Sequence, residues 1–213
     1  MLKHEKIKKS IIKSQHCQRN WDLKKQIPEE DLELLIHAAT NCPSKQNVAF
    51  YDVHFVTDRN KIEQIHEKTN GFIVDVESNT TTTNSQTLAN LVIVFTDRNL
   101  EIESKHRNEQ IDSLKNNKIS VGERESLIRD KHMAIGIAAG YVNIIASILG
   151  YGTGCCACFT NDIKDIIGTN NNVELIMGVG FANSNLNRRV HHTKQDFVFP
   201  TKKKQKIYTF KHY

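Results

Sequence analysis

The stretch that decides how this chain is read covers residues 132–159, HMAIGIAAGYVNIIASILGYGTGCCACF. It is the only long apolar segment in an otherwise polar sequence. Small residues (Ala134, Gly136, Ala138, Ala139, Gly140, Ala146) are interspersed with Ile135, Ile137, Val142, Ile144, Ile145, Ile148 and Leu149. Apolar side chains fall all round the helical wheel, which predicts a fully buried central helix. The small residues leave room for a second helix to approach closely. The segment is short and glycine-rich for a membrane span, and it contains His132 and Asn143. Gly150 ends the helix. The glycine-rich turn at 150–154 then feeds Cys155-Cys156-Ala157-Cys158-Phe159, expected as a strand or extended loop.

A chain of 213 residues with 38% hydrophobic and 25% charged content suits a single globular domain with a real core. The N-terminus MLKHEKIKKS has charges but no apolar run behind it, so a cytoplasmic location is expected, with the five cysteines as thiols. A net charge of +5 permits an anionic ligand without indicating nucleic acid. Neither a membrane nor a nucleic-acid partner is expected. The lysines at 202–204 and 206 read as a solvated tail.

Working outward, residues 5–16 read as an amphipathic first helix, and 14–22 as a polar loop closed by the only tryptophan, Trp21. Pro28 followed by Glu29, Glu30 and Asp31 is a helix start. That helix stops at the donor-rich turn 41–47. Residues 51–57 alternate like a strand, and 58–68 read as helical. The polar, low-complexity segment 77–87 is expected to be a mobile loop. Leu91 to Thr96 and Val173 to Phe181 read as buried strands. Residues 99–131, charged and poor in apolar side chains, read as an exposed helical excursion, and about 190–213 as an extended C-terminal arm. The fold class is α+β in one domain, 1–213.

Several chemistries are excluded by their motifs. There is no Walker A sequence, no G-x-S-x-G elbow and no H-E-x-x-H, and the GYGTG turn lacks dinucleotide-fingerprint spacing. Cys155 and Cys158 form one C-x-x-C pair without a regularly spaced second pair, so no metal site is expected. Three loops carry the candidate binding groups. The first runs Gln15-His16-Cys17-Gln18-Arg19-Asn20-Trp21, the second Pro43-Ser44-Lys45-Gln46-Asn47, and the third Asn187-Arg188-Arg189. Arginine forks match phosphate oxygens bidentately, so together the loops could hold a phosphate and the polar edge of a heterocycle.

In this order the segments resemble the FMN-dependent nitroreductase family, from about residue 14 to 198. The family's R-R/H-S-x-R/K-x-F loop is similar to 15–21. Its A-P-S-x-x-N turn is similar to Cys42-Pro43-Ser44-Lys45-Gln46-Asn47, and its L-G-x-G-T helix end to 149–153. The strand ending in Gly-Gly-Phe or Glu-Gly-Phe is similar to Ala157-Cys158-Phe159. The family's V-G-Y/F strand and later basic pair are similar to Val179-Gly180-Phe181 and Arg188-Arg189.

The resemblance implies a nitroreductase-like fold, a central mixed or antiparallel sheet flanked by helices, in an intertwined homodimer with FMN at the interface. It implies that Gln15, His16 and Cys17 line the phosphate and ribityl chain, and that Arg188 and Arg189 hold the phosphate. Arg19 would face the pyrimidine edge and stabilise charge there, with no separate catalytic side chain. Pro43, Ser44, Lys45 and Asn47 would come from the partner chain. Cys156, Ala157 and Cys158 would set backbone groups near flavin N5 and O4, and the polar segment 82–86, through Asn84, would add a contact. The implied activity is ping-pong hydride transfer from NAD(P)H, NADH or NADPH, through flavin N5 to a nitroaromatic or quinone. An FMN-binding homodimer without turnover and a same-fold flavin enzyme of other chemistry, such as dehalogenation or flavin fragmentation, are the alternatives. Gln15 stands where the family has arginine, Cys17 where it has serine, and Ala157-Cys158 where it has Gly-Gly or Glu-Gly. The lost arginine amounts to about one charge-assisted hydrogen bond, ~1.5–3 kcal/mol.

Overall fold

The computed structural model describes residues 3–75, 80–98, 121–190, 198–199, 205 and 207–211. The strands among the described residues are β1 Tyr51–Val56, β2 Phe72–Asp75, β3 Thr80–Thr82, β4 Leu91–Asp97, β5 Gly152–Cys156 and β6 Val173–Gly180. The helices are α1 Lys3–Ser14, α2 Glu29–Thr40, α3 Arg59–Glu67, α4 Val121–Leu149 and α5 Ile163–Ile167. The main sheet runs β1-β4-β6-β5, with every pairing antiparallel. β2 and β3 form a separate antiparallel pair.

β4 is an unbroken apolar run because both of its faces are covered. Leu91, Ile93 and Phe95 join Met177 and Val179 of β6 in a core with Leu35 and Ala39 of α2 and Ala138, Val142 and Ala146 of α4. The alternate residues Val92 and Val94 join Ile176 and Cys156 against Ile62 and Ile65 of α3 and Ile163 of α5. The two-residue period of the strands thus divides one sheet between two helical layers.

Three expectations change. The central helix is not fully buried within the chain. Ala134, Ile135, Ala138, Ala139, Val142 and Ala146 face the core, while Met133, Tyr141 and Ile148 on its other side are about half exposed. By length and composition alone this helix could cross a membrane, yet its inner face is part of the core. Second, residues 121–131 are not an excursion but the first turns of α4, continuous with the apolar segment. The exposed charges of Glu125 and Arg129 on these turns read, in sequence, like a solvated excursion. Residues 99–120 of that expected excursion lie outside the described residues, as does most of the expected arm at 190–213.

Third, within the polar 77–87 segment the described residues form β3 and a buried 3-10 turn, Ser85–Leu88, rather than a mobile loop. Residues 76–79 lie outside the description. The turn is held by long-range partners, and its Gln86 carbonyl lies so close to β6 that a Cβ at Gly178 would come within 1.9 Å of it. Gly150, at φ 101°, stops α4 in the left-handed region that favours glycine.

Candidate functional site

Loop one leaves α1 and runs beside β5. Cys17 bridges Thr153 in parallel, and the Gln18 amide donates to the Thr153 carbonyl at 2.7 Å. The approach is tight enough that a Cβ on Gly154 would sit 2.9 Å from Cys17 Sγ and 2.6 Å from Gln86 Cβ. Loop one, β5 and the buried polar turn therefore meet at this glycine. Trp21 fastens the junction, donating from Nε1 to the Ser85 carbonyl at 2.8 Å.

Asn20, fully buried, joins loop three to the cluster. Its Nδ2 donates to the carbonyls of Leu186 and Asn187, and its Oδ1 accepts from the Asn183 amide at 3.2 Å. Arg19 lies with its guanidinium carbon 4.4 Å from the centre of the Phe199 ring, and the Phe199 amide donates to the Arg189 carbonyl at 3.0 Å. Arg19 Nε is buried without a hydrogen-bond partner among the described residues. None of Arg19, Arg188 and Arg189 is paired with a carboxylate among those residues. Among the described residues, the site's fixed positive charge is therefore uncompensated.

The Cys17 and Cys156 thiols stay neutral. Burial pushes the Cys17 thiol up despite the opposing charges of Arg19 and Arg188. Burial also pushes the Cys156 thiol up to about 11. Neutral thiols do not repel an anion, but they are weak donors. Among the described residues no cluster of histidine, cysteine or carboxylate side chains has the arrangement to hold a metal.

The other candidate residues fall as follows. Gln15 and His16 are exposed at the end of α1, and Arg188 and Arg189 are half-buried. Cys156 is buried, with Ala157 and Cys158 exposed just beyond β5. Asn84 is buried and engaged within the chain: Nδ2 donates to the Asn70 carbonyl at 2.6 Å and Oδ1 accepts from Gln86 at 3.2 Å. The expected contact segment 82–86 also holds Thr82 and Ser85, not singled out by number in the sequence, whose hydroxyls are buried without a hydrogen-bond partner among the described residues. The available signal was a run of small polar side chains directly ahead of a buried strand.

Loop two lies elsewhere. Lys45 Nζ pairs with Asp130 Oδ2 at 2.6 Å, near the start of α4. Loop one is tied to the same helix at Asn143, whose Nδ2 donates to the Ser14 carbonyl at 2.9 Å and whose Oδ1 accepts from Thr153 at 2.5 Å. At the helical rise these anchor points are about 20 Å apart. One chain brings loops one and three together and leaves Pro43, Ser44, Lys45 and Asn47 at a distance.

A family model described as the nitroreductase family matches residues 12–181. The antiparallel sheet flanked by helices is that fold, and the chain belongs to the nitroreductase family. Among solved structures, it is similar to a nitroreductase family protein from Clostridium novyi, at 19% identity and TM-score 0.59, covering 87% of each chain. It is similar to a protein from Exiguobacterium sibiricum solved in complex with FMN, at 14% identity and TM-score 0.59, covering 82% of this chain and 87% of that one. A third is the NADPH:FMN oxidoreductase from Vibrio harveyi complexed with NAD+, at 16% identity and TM-score 0.60, covering 84% of this chain and 70% of that one. A search of curated proteins finds no match.

Proposed function

We propose that this protein is a homodimeric FMN-dependent oxidoreductase that uses NAD(P)H to reduce a flat, electron-poor acceptor such as a nitroaromatic or quinone. The observation that carries the reading is Arg19. Its Nε is buried and unpartnered among the described residues, and with Arg188 it bears on one neutral thiol, Cys17. A buried N–H without a partner is costly, and a bound ligand that offers an acceptor atom relieves that cost.

The donor set fits FMN. Arg188 and Arg189, with Gln15, His16 and Cys17, would hold the phosphate and ribityl chain. Arg19 and the unpartnered hydroxyls of Thr82 and Ser85 would meet the polar edge of the ring, with the backbone at 156–158 beside it. When bound, FMN supplies acceptance and delivery of a hydride. The chain's own work is to bind and orient: Arg19 places fixed positive charge where negative charge gathers on reduction, an electrostatic contribution that needs no proton transfer.

The dimer is supported by the exposed apolar side of α4. Asp130 and Asn143 lie equally far from the step between Gly136 and Ile137. A twofold axis passing that step, with the two α4 helices antiparallel, sets position 130 of one chain opposite position 143 of the other. The 43–47 loop of the partner subunit then reaches the Arg19 cluster. The NAD+ and FMN complexes of the structural neighbours point to the same donor and cofactor.

The test is the visible spectrum of the purified protein before and after anaerobic NADH or NADPH. A flavin spectrum that bleaches, and recovers on adding a nitroaromatic or quinone, is the expected result. A flavin spectrum that persists would instead favour a flavin-binding dimer without turnover. Absence of flavin, with no uptake of added FMN, would refute the proposal.

A further inference from the structure

Asp130 is the only Asp, Glu, Lys or Arg in the buried class among the described residues, at 6% exposure. Its carboxylate takes Lys45 Nζ at 2.6 Å, with Arg129 Nε at 4.0 Å. Only the Asp130 end of the pair is buried, the Lys45 side chain being 50% exposed, and such a pair adds little net stability, because solvent screening and desolvation offset much of the attraction. Its contribution is to geometry, and the geometry it touches is unusual. Gln46 and Asn47, the two residues after Lys45, have φ of 56° and 54°. Two consecutive non-glycine residues in the left-handed region are uncommon and need support from their surroundings. Packing does not supply it, since Lys45, Gln46 and Asn47 are all exposed. Within the turn, the Asn47 amide donates to the Ser44 carbonyl at 3.2 Å and the Val48 amide to the Lys45 carbonyl at 3.1 Å. Among the described residues, no side chain of 43–47 other than Lys45 forms a hydrogen bond or ion pair.

We infer that Asp130 is a positioning residue, whose buried carboxylate clamps Lys45 and holds the 43–47 loop in the shape that meets the cofactor across the dimer. This rests on the reading that the loop flanks the flavin. It also changes the part played by Lys45: its ammonium is the tether, and Pro43, Ser44 and Asn47 are left to face the ligand.

The experiment compares wild type with Asp130→Asn, Lys45→Met and the reversed pair Lys45→Glu with Asp130→Lys. Hydrogen exchange is read at the Asn47 and Val48 amides, and FMN affinity through quenching of Trp21, the only tryptophan. Asp130→Asn is expected to raise exchange at both amides and to weaken FMN binding, each by about tenfold, with substantial recovery in the reversed pair. Lys45→Met, altered on the exposed loop, makes the same test if Asp130→Asn fails to fold. Unchanged exchange in the single variants would overturn the clamp. Faster exchange with unchanged FMN affinity would leave a structural tether and overturn the positioning role. If the flavin reading itself is wrong, wild type will already fail to bind FMN, which separates that failure from failure of the clamp.

Discussion

Gly136 and Gly140 stand one turn apart on the uncovered side of α4, and replacing both with alanine tests what covers it. Glycine in a helix interior is less favourable than alanine by about 0.8–1 kcal/mol, so the pair forgoes about 2 kcal/mol. Nothing among the described residues requires that loss: a Cβ built at either position meets no atom of theirs within 4 Å. In a monomer, Gly136→Ala with Gly140→Ala should therefore stabilise the fold by about 2 kcal/mol, a rise of roughly 4–8 °C in Tm at this size. In the proposed dimer the methyl groups enter a helix–helix contact at its axis. Overpacking costs about 1–3 kcal/mol, so the dissociation constant should rise about 5- to 150-fold. Sedimentation equilibrium over a wide concentration range measures the dimer, and thermal melts at dilutions where monomer dominates measure the chain. A stabilised chain that dimerises as tightly as wild type would refute the crossing at these glycines. A destabilised monomer would refute the open space itself.

Other substitutions probe the site and its supports. Gly178→Ala drives a Cβ to 1.9 Å from the Gln86 backbone carbonyl in a central strand, so a loss of about 3 kcal/mol or more is expected in urea unfolding. Arg19→Met removes a charge-assisted contact of ~1.5–3 kcal/mol and should weaken FMN binding about 10- to 150-fold in fluorescence titration, with thermal stability little changed. The Cys156 thiol, pushed up to about 11 by burial, favours the fold in its neutral form. That contribution is complete below the ordinary thiol pKa of 9 and is lost as pH climbs through 11; Cys156→Ala should flatten the fall in urea midpoint over that window.

The sheet was legible because its signals are local. Residues 51–56, 91–97 and 173–180 carry strand periodicity or continuous burial in their own side chains. Pro28 and the three acids after it mark the start of α2 in the same local way. The β2–β3 pair and the five-residue α5 escaped because such short elements have almost no period of their own. The polar turn at 84–88 escaped for a different reason. Its residues are buried because distant groups satisfy them: Trp21 donates to the Ser85 carbonyl, and Asn84 donates to the Asn70 carbonyl. No local pattern distinguishes that segment from a solvated loop. The candidate site is divided in the same way. Its arginines could be named from motif order, whereas the unpartnered hydroxyls of Thr82 and Ser85 emerge only when the chain is folded.

The mistaken expectation for α4 carries the most information. Apolar side chains all round a helix predict burial on every side, and the chain buries one side. The physical argument behind that prediction concerns transfer out of water and is indifferent to which chain provides the cover. Met133, Tyr141 and Ile148 are about half exposed, at 52%, 45% and 54%, on the side that also presents Gly136 and Gly140. An isolated surface isoleucine needs no explanation, but this side combines large apolar residues with glycines that weaken the helix. The same helix holds the Lys45 anchor at Asp130 and the loop-one anchor at Asn143 about equally far from that midpoint. One twofold contact would cover the apolar side, account for the glycines and join the two halves of the binding site. In such a dimer the wheel of residues 132–149 would describe the assembly and not the single chain, whose α4 is buried on one side only.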